Sequence, residues 1–225
     1  MNKLVLMPVE EDPPAIAQDL FEVAVSDDGW ETAGLDVQFK LVDHPVYGTI
    51  VAFQGSISKM DWRLNFDFAV IPYHHQDQKW FAHRGFVKAW KSVRDIIMPR
   101  LGGKYRIKVV GYSLGGALAQ LCHEDIEFQY PGTITESWTY GAPRVFWFPP
   151  ETIRYRMFHH HRFTNAGDIV PHLPPALFGF RHTGLNIWIG SLKGYLKSLF
   201  KMKSVYDLPF VRKHLVPSYR GGLSK

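Results

Sequence analysis

The sequence predicts an α/β fold, a central, mostly parallel mixed sheet flanked by helices. Three observations predict it. Apolar stripes at helical spacing alternate along the chain with short β-branched runs, the pattern of helices packed on a sheet. Two early runs, Val37–Val42 and Thr49–Phe53, are joined only by a turn containing Asp43, Pro45 and Gly48, so the sheet is mixed rather than purely parallel. The run Tyr105–Val110 leads straight into Gly111-Tyr112-Ser113-Leu114-Gly115 and then into an apolar helical stripe, which is a strand–turn–helix unit.

Taken in order, residues around 14–29 read as a helix, with Ile16, Leu20, Phe21 and Val23 as a loose apolar stripe. The two β-runs follow, and Trp62–Pro72 alternates in part, as another strand would. Phe86, Trp90, Val93 and Ile97 recur at helical spacing until Pro99 stops the helix. Beyond the 105–110 strand, Leu114, Ala117, Leu118, Leu121 and Cys122 share one helical face. Thr133–Tyr140 and Tyr155–Phe163 read as strands, with Gly-Ala-Pro closing the first and Asp168 just past the second. Phe180–Ile189 is a further strand. No repeat, low-complexity tract or linker interrupts the pattern, so residues 1–225 are expected to form one domain.

At 225 residues and 46% hydrophobic, the chain can bury a sizeable core without staples. Cys122 is the only cysteine, so no intramolecular disulfide can form and a reducing compartment is permitted. Met1–Pro14 lacks the apolar length and cleavage site of a signal peptide, and no run reaches the length of a membrane span. The expectation is therefore a cytoplasmic protein. The net charge of +5 sits on no nucleic-acid recognition motif, so no nucleic-acid partner is expected. The excess is late. Lys193, Lys197, Lys201, Lys203, Arg212, Lys213, Arg220 and Lys225 face a lone Asp207. Leu192, Tyr195, Leu196 and Leu199 form an apolar helical face beside the Lys193–Lys197–Lys201 ridge. Peripheral contact with an anionic lipid surface is one expectation for this segment. A core-packed helix with a solvated ridge is the other.

A serine hydroxyl becomes a useful nucleophile only when a base removes its proton and a carbonyl carbon can reach it. A sharp turn from strand to helix lifts the serine clear of the sheet, and glycines on both sides relieve the crowding. Gly111-Tyr112-Ser113-Leu114-Gly115 has that composition in that context. The Leu114 N–H opens a helix and points at the reacting centre, which makes it one oxyanion donor. A second donor must come from another loop. Phe53-Gln54-Gly55-Ser56 ends an apolar strand in a Gly-Ser turn, and Ser56 offers both an N–H and a hydroxyl. The chain order for this fold, the α/β-hydrolase fold, is serine, acid, histidine. Asp168 occupies a loop after a strand. His182 and His214 follow it at suitable distance, and the residues alone leave the choice between them open. His172 lies only four residues beyond Asp168 in a Pro-flanked loop.

No metal or cofactor is expected. Within a strand, only His159 and His161 of the run His159-His160-His161 can share a ligand, and no acidic or Cys pattern lies near them in sequence. His74-His75 has the same weakness. Cys122 lies on the apolar helix face, as a small core residue does.

From about Val37 onward the sequence resembles the class 3, or fungal-type, lipases. Val51-Ala52-Phe53-Gln54-Gly55-Ser56 resembles the family strand whose hydroxyl residue belongs to the oxyanion hole, with Gln54 where Arg is usual. Asp61-Trp62 with Asp67, and His83-Arg84-Gly85-Phe86, resemble two further family elements. Gly111-Tyr112-Ser113-Leu114-Gly115-Gly116-Ala117-Leu118-Ala119 matches the elbow, with Tyr112 where His is usual. Gly141-Ala142-Pro143-Arg144-Val145 and Asp168-Ile169-Val170-Pro171 match two more motifs. The resemblance implies that Asp168 is the catalytic acid. It implies that Phe180-Arg181-His182-Thr183-Gly184 is structural. His214, followed by Tyr219, then takes the place of the catalytic base, with Lys213 where an acidic residue is usual.

The expected activity is carboxylic ester hydrolysis, on lipid esters of the acylglycerol type. Ser113, Asp168 and His214 would form the triad, and Ser56 and Leu114 the oxyanion hole. The segment between Ser56 and Asp67 is short for a lid. The alternatives are an esterase for short-chain or aromatic, feruloyl-type esters, and a non-catalytic lipid-binding protein on the same fold.

Overall fold

The computed structural model describes residues 15–55, 69–75, 78–190 and 214–224. Ser56, the short segment to Asp67 and the Leu192–Lys201 stripe lie outside these residues. The main sheet has seven strands: β1 (Glu31–Ala33), β2 (Val37–His44), β3 (Gly48–Phe53), β6 (Arg106–Tyr112), β7 (Ile134–Tyr140), β9 (His160–Asn165) and β11 (Leu185–Ile189), side by side in that order. β1, β2 and β3 pair antiparallel, and every later neighbour from β3 to β11 pairs parallel. This is the mixed, mostly parallel α/β-hydrolase sheet that the sequence predicts.

The central strands are apolar on both faces because both faces are covered. In β3 and β6, Val51, Phe53, Ile107 and Val109 face a core completed by α2 (Arg84–Ile97) and α3 (Leu114–Gln129). Ile50, Ala52, Val110 and Tyr112 face the other way. They pack with α1 (Ala15–Val25) and α5 (Val216–Leu223), which contribute Leu20, Phe21, Tyr219 and Leu223. α2 begins where the His83 side chain accepts the Phe86 N–H. It ends as the chain tightens into a 3₁₀ turn containing Pro99, where proline cannot donate to a continuing helix.

Two regions depart from the sequence reading. Tyr155–Phe163 is not one strand. Residues Glu151–Arg156 form a short helix, α4, a 3₁₀ turn follows, and β9 starts only at His160. The helical signal is Ile153 and Met157, buried four residues apart after Pro149-Pro150, with Glu151 in the first turn and Arg154 and Arg156 in the last. Phe180–Ile189 is likewise two strands in two sheets. β10 (Phe180–Arg181) joins a small antiparallel sheet with β8 (Phe146–Trp147), β5 (Gln78–His83) and β4 (Val70–His75), whereas β11 joins the main sheet. Of the alternating run Trp62–Pro72, the described part enters β4.

The parallel strands place their carboxyl ends on one edge, where α/β sheets bind their ligands. That edge holds Gln54-Gly55 after β3, Ser113 after β6, Gly141 after β7 and Asp168 beyond β9.

Candidate active site

Ser113 follows β6 directly and caps α3 with φ 54° and ψ −123°. This region is sparsely populated for any residue with a side chain, and surrounding structure must hold it. The Ser113 N–H donates to the Tyr140 carbonyl on β7 at 2.8 Å, and the Ser113 carbonyl accepts the Gly116 N–H at 3.0 Å. The flanking glycines are required by space. A Cβ on Gly111 would sit 2.2 Å from the Gly115 carbonyl oxygen, and one on Gly115 would sit 2.2 Å from that of Phe53. The Gly-x-Ser-x-Gly spacing thus records how closely strand, elbow and helix pack.

His214 is half-buried. Its Nδ1 lies 2.8 Å from Asp168 Oδ2, and its Nε2 lies 2.8 Å from Ser113 Oγ. An ionised carboxylate only accepts, so the proton belongs on Nδ1 and Nε2 is left to accept from the serine hydroxyl. Asp168 is buried and fully engaged. Its Oδ1 accepts the Val170 N–H at 2.9 Å, and its Oδ2 also accepts the Tyr219 hydroxyl at 2.6 Å. Tyr219 in turn accepts the Asn165 N–H at 3.2 Å. Burial, and then the Asp168 charge, hold the Tyr219 phenol well above its usual range, so it stays a donor.

Ser113, Asp168 and His214 are therefore brought together. His182 is not in a strand and lies elsewhere. Its Nε2–H donates to the Pro171 carbonyl at 2.6 Å, bracing the loop that carries Asp168. Burial, with Arg162 nearby, pushes its pKa well below the usual histidine value. Leu114 is the first residue of α3, so its N–H has no acceptor within the helix. Ser56 is outside the described residues. The residue before it is adjacent to the elbow, since a Cβ on Gly55 would lie 3.2 Å from Ser113 Cβ. Sequence reasoning missed Gly141. With φ +59°, it leaves open the space where a Cβ would come within 2.9 Å of the Tyr219 hydroxyl and 3.0 Å of Asp168 Oδ2 and His214 Cε1. Its sequence signals were the Gly-Ala-Pro ending of β7 and the Gly141-Ala142-Pro143-Arg144-Val145 motif, and neither pointed to contact with the triad.

A second polar cluster lies between α2, α3 and the small sheet. His75, Glu124 and Asp125 are all buried with ligand atoms within 4.8 Å of one another, the only group of metal-ligand type among the described residues. The His-Glu-Asp set was invisible in sequence because His75 and the acids are about 50 positions apart. Other cations already fill it. His75 Nε2 is 2.6 Å from Glu124 and 2.9 Å from Asp125, Arg94 Nε donates to Asp125 at 2.5 Å, and Arg156 pairs with Glu124. The Tyr73 hydroxyl and the Trp90 indole N–H also donate to Asp125, at 2.7 and 2.8 Å. Burial would lower the His75 pKa, but the two carboxylates outweigh it and raise the value to about 9. Of the His159–His161 run, His160 bonds Thr139 Oγ1 at 2.8 Å and His161 stacks on Trp138.

Residues 50–178 match the family described as lipase (class 3). The chain is 32% identical over 151 residues to a lipase of Rhizomucor miehei, covering 62% of this chain and 41% of that protein. It is 30% identical over 190 residues to secreted mono- and diacylglycerol lipase A of Penicillium cyclopium, covering 81% and 59%. Among solved structures, the native Rhizomucor miehei lipase–propeptide complex superposes with a TM-score of 0.60 at 28% identity, covering 72% of this chain and 56% of that one. A triacylglycerol lipase whose catalytic centre is described as a serine protease triad superposes with a TM-score of 0.61 at 26% identity, covering 80% and 77%. The chain spans 41% and 59% of the length of the two relatives named first. The expectation of a cytoplasmic protein is overturned by the secreted lipases of Penicillium and Malassezia among these relatives, which point outside the cell. That expectation rested on a lone cysteine and an unremarkable N-terminal sequence, and neither feature senses the compartment.

Proposed function

Because the chain belongs to the class 3 lipase family, we propose that it is a serine ester hydrolase acting on acylglycerols, with Ser113, His214 and Asp168 as its triad. The observation that carries this reading is the hydrogen-bonded series from Ser113 through His214 to Asp168, with both contacts at 2.8 Å, at the carboxyl edge of the sheet. Ser113 Oγ attacks the ester carbonyl carbon as its proton passes to His214 Nε2. The Asp168 carboxylate holds the tautomer and stabilises the imidazolium. The Leu114 N–H and Ser56 receive the charge that develops on the carbonyl oxygen. The carbon–oxygen ester bond then breaks, and the alcohol leaves with the proton from Nε2. Water repeats the sequence on the acyl-serine and releases the acid.

The substrate class is tested by a panel of tri-, di- and monoacylglycerols, short-chain nitrophenyl esters and feruloyl esters. Hydrolysis of the acylglycerols is expected. Turnover confined to short or feruloyl esters would replace the lipase reading with an esterase. Failure of a fluorophosphonate to label the protein would leave only lipid binding. The names of mono- and diacylglycerol lipases among the relatives support placing acylglycerols first. The late basic residues support a peripheral contact with anionic lipid. Arg220 is less available for it, because it forms a two-point ion pair with Glu22 at 2.6 Å.

Gly141→Ala tests the packing around the triad. A methyl group there must displace Tyr219, Asp168 or His214, and displacements of about 1 Å cost on the order of 100-fold. We expect kcat to fall about 10- to 100-fold, with a lower Tm because alanine is strained at this φ. Wild-type kcat in this variant would show that the triad tolerates the shift.

A further inference from the structure

We propose that Tyr112, the residue before the nucleophile, is a positioning residue that fixes the base, and this inference rests on the triad proposed above. The Tyr112 hydroxyl donates to the backbone carbonyl of His214. Its ring lies 5.2 Å from the imidazole at an interplanar angle of 19°, a stacked arrangement. One side chain therefore fixes both the chain position of His214 and the plane of its ring. Among the described residues, Tyr219 also meets the imidazole, but edge-on at 6.4 Å, whereas Tyr112 alone stacks on it. The Asp168 contact sets one ring nitrogen, but rotation about that contact would carry Nε2 away from Ser113. Stacking against Tyr112 opposes that rotation.

The anchor itself is rigid. Tyr112 ends β6, pairs in register with Tyr140 on β7, and is buried. Edge contacts to Phe21 at 6.0 Å and Tyr219 at 5.8 Å hold its ring in place. Burial, and then the charge of Asp168, push the phenol pKa above the usual tyrosine range, so the hydroxyl stays a donor. The consequence concerns how the site is assembled. Ser113 stands on the elbow that directly follows β6, whereas His214 belongs to a segment 101 residues later. Tyr112 joins the two at the position adjacent to the nucleophile, so the strand that aims the serine also aims its base.

The test is Tyr112→Phe, which keeps the ring and its packing and removes only the hydroxyl, beside Tyr112→Leu, which removes the stack as well. Tyr112→Phe is expected to lower kcat about 10- to 100-fold, the size of a small misplacement of a reacting group. KM for a soluble ester should be unchanged, and fluorophosphonate labelling should slow in parallel. Tyr112→Leu should lose more. The low-field proton resonance of His214 Nδ1–H should broaden in both, which a loss of core packing alone would not cause while the protein stays folded. Wild-type kcat and labelling per folded molecule in Tyr112→Phe would overturn the inference and make Tyr112 a core residue only. Ser113→Ala run alongside separates the two failures, since hydrolysis surviving in that variant would instead overturn the triad.

Discussion

Ser113→Ala is expected to lower kcat on a diacylglycerol emulsion by about 10⁴- to 10⁶-fold, because the members of a triad act as a unit. The fold should survive. Alanine keeps the Cβ, so the backbone strain at φ 54° is unchanged, and the hydroxyl makes no packing contact that the elbow needs. Labelling by a fluorophosphonate should disappear. Circular dichroism and thermal melting establish that the variant is folded, and near-normal hydrolysis by that folded variant would remove Ser113 from the chemistry.

Asp125→Ala should produce the opposite phenotype, a large loss of stability with activity per folded molecule retained. The carboxylate accepts from Tyr73, Trp90 and Arg94 and pairs with His75 in the interior. Burial works against its charge, but His75, Arg94 and Tyr73 outweigh that and hold its pKa below the ordinary range. Removing one partner from a buried ion pair costs about 3–5 kcal/mol, because the remaining charges stay buried. For a domain of this size that is a fall in Tm of about 6–20 °C. The same cluster sets a pH dependence. His75 binds its proton more tightly in the folded state, with a pKa of about 9, than in the unfolded chain, at about 6.5. Its contribution is therefore complete below the unfolded value and is lost as pH rises toward and through about 9. Melting curves between pH 6 and 10 should show this alkaline loss in the wild type and much less of it in Asp125→Ala. An equal slope in both proteins would show that His75 is not the group responsible.

The elbow was legible in the sequence because its constraints are local. Gly111 and Gly115 must be small for reasons set within a few residues and by β3 alongside. Asp168 could be placed by its loop and by resemblance. The choice of His214 over His182 could not be made from the residues, because it depends on where two loops lie in space. The misreading of Tyr155–Phe163 came from giving the later alternation more weight than the Pro-Pro-Glu start of α4 and the Ile153–Met157 spacing. The small antiparallel sheet was missed because its strands are short, and three of them meet only after long excursions of the chain. The His75 cluster was hidden for the same reason. Its acids stand side by side on α3, and nothing near them in sequence indicates the histidine and arginines they meet.

The position of His214 along the chain also sets a timetable for the newborn protein. Ser113 leaves the ribosome 101 residues before His214, and Asp168 leaves 46 residues before it. At about 5–20 residues per second, the base trails the acid by roughly 2–9 s. During that interval the elbow can form with no partner to deprotonate it. The proposed triad is then completed only when α5 docks, which buries Tyr219 and Leu223 and joins Arg220 to Glu22 on α1. A nascent or clipped chain that stops short of residue 214 would carry the proposed nucleophile and acid without the proposed base.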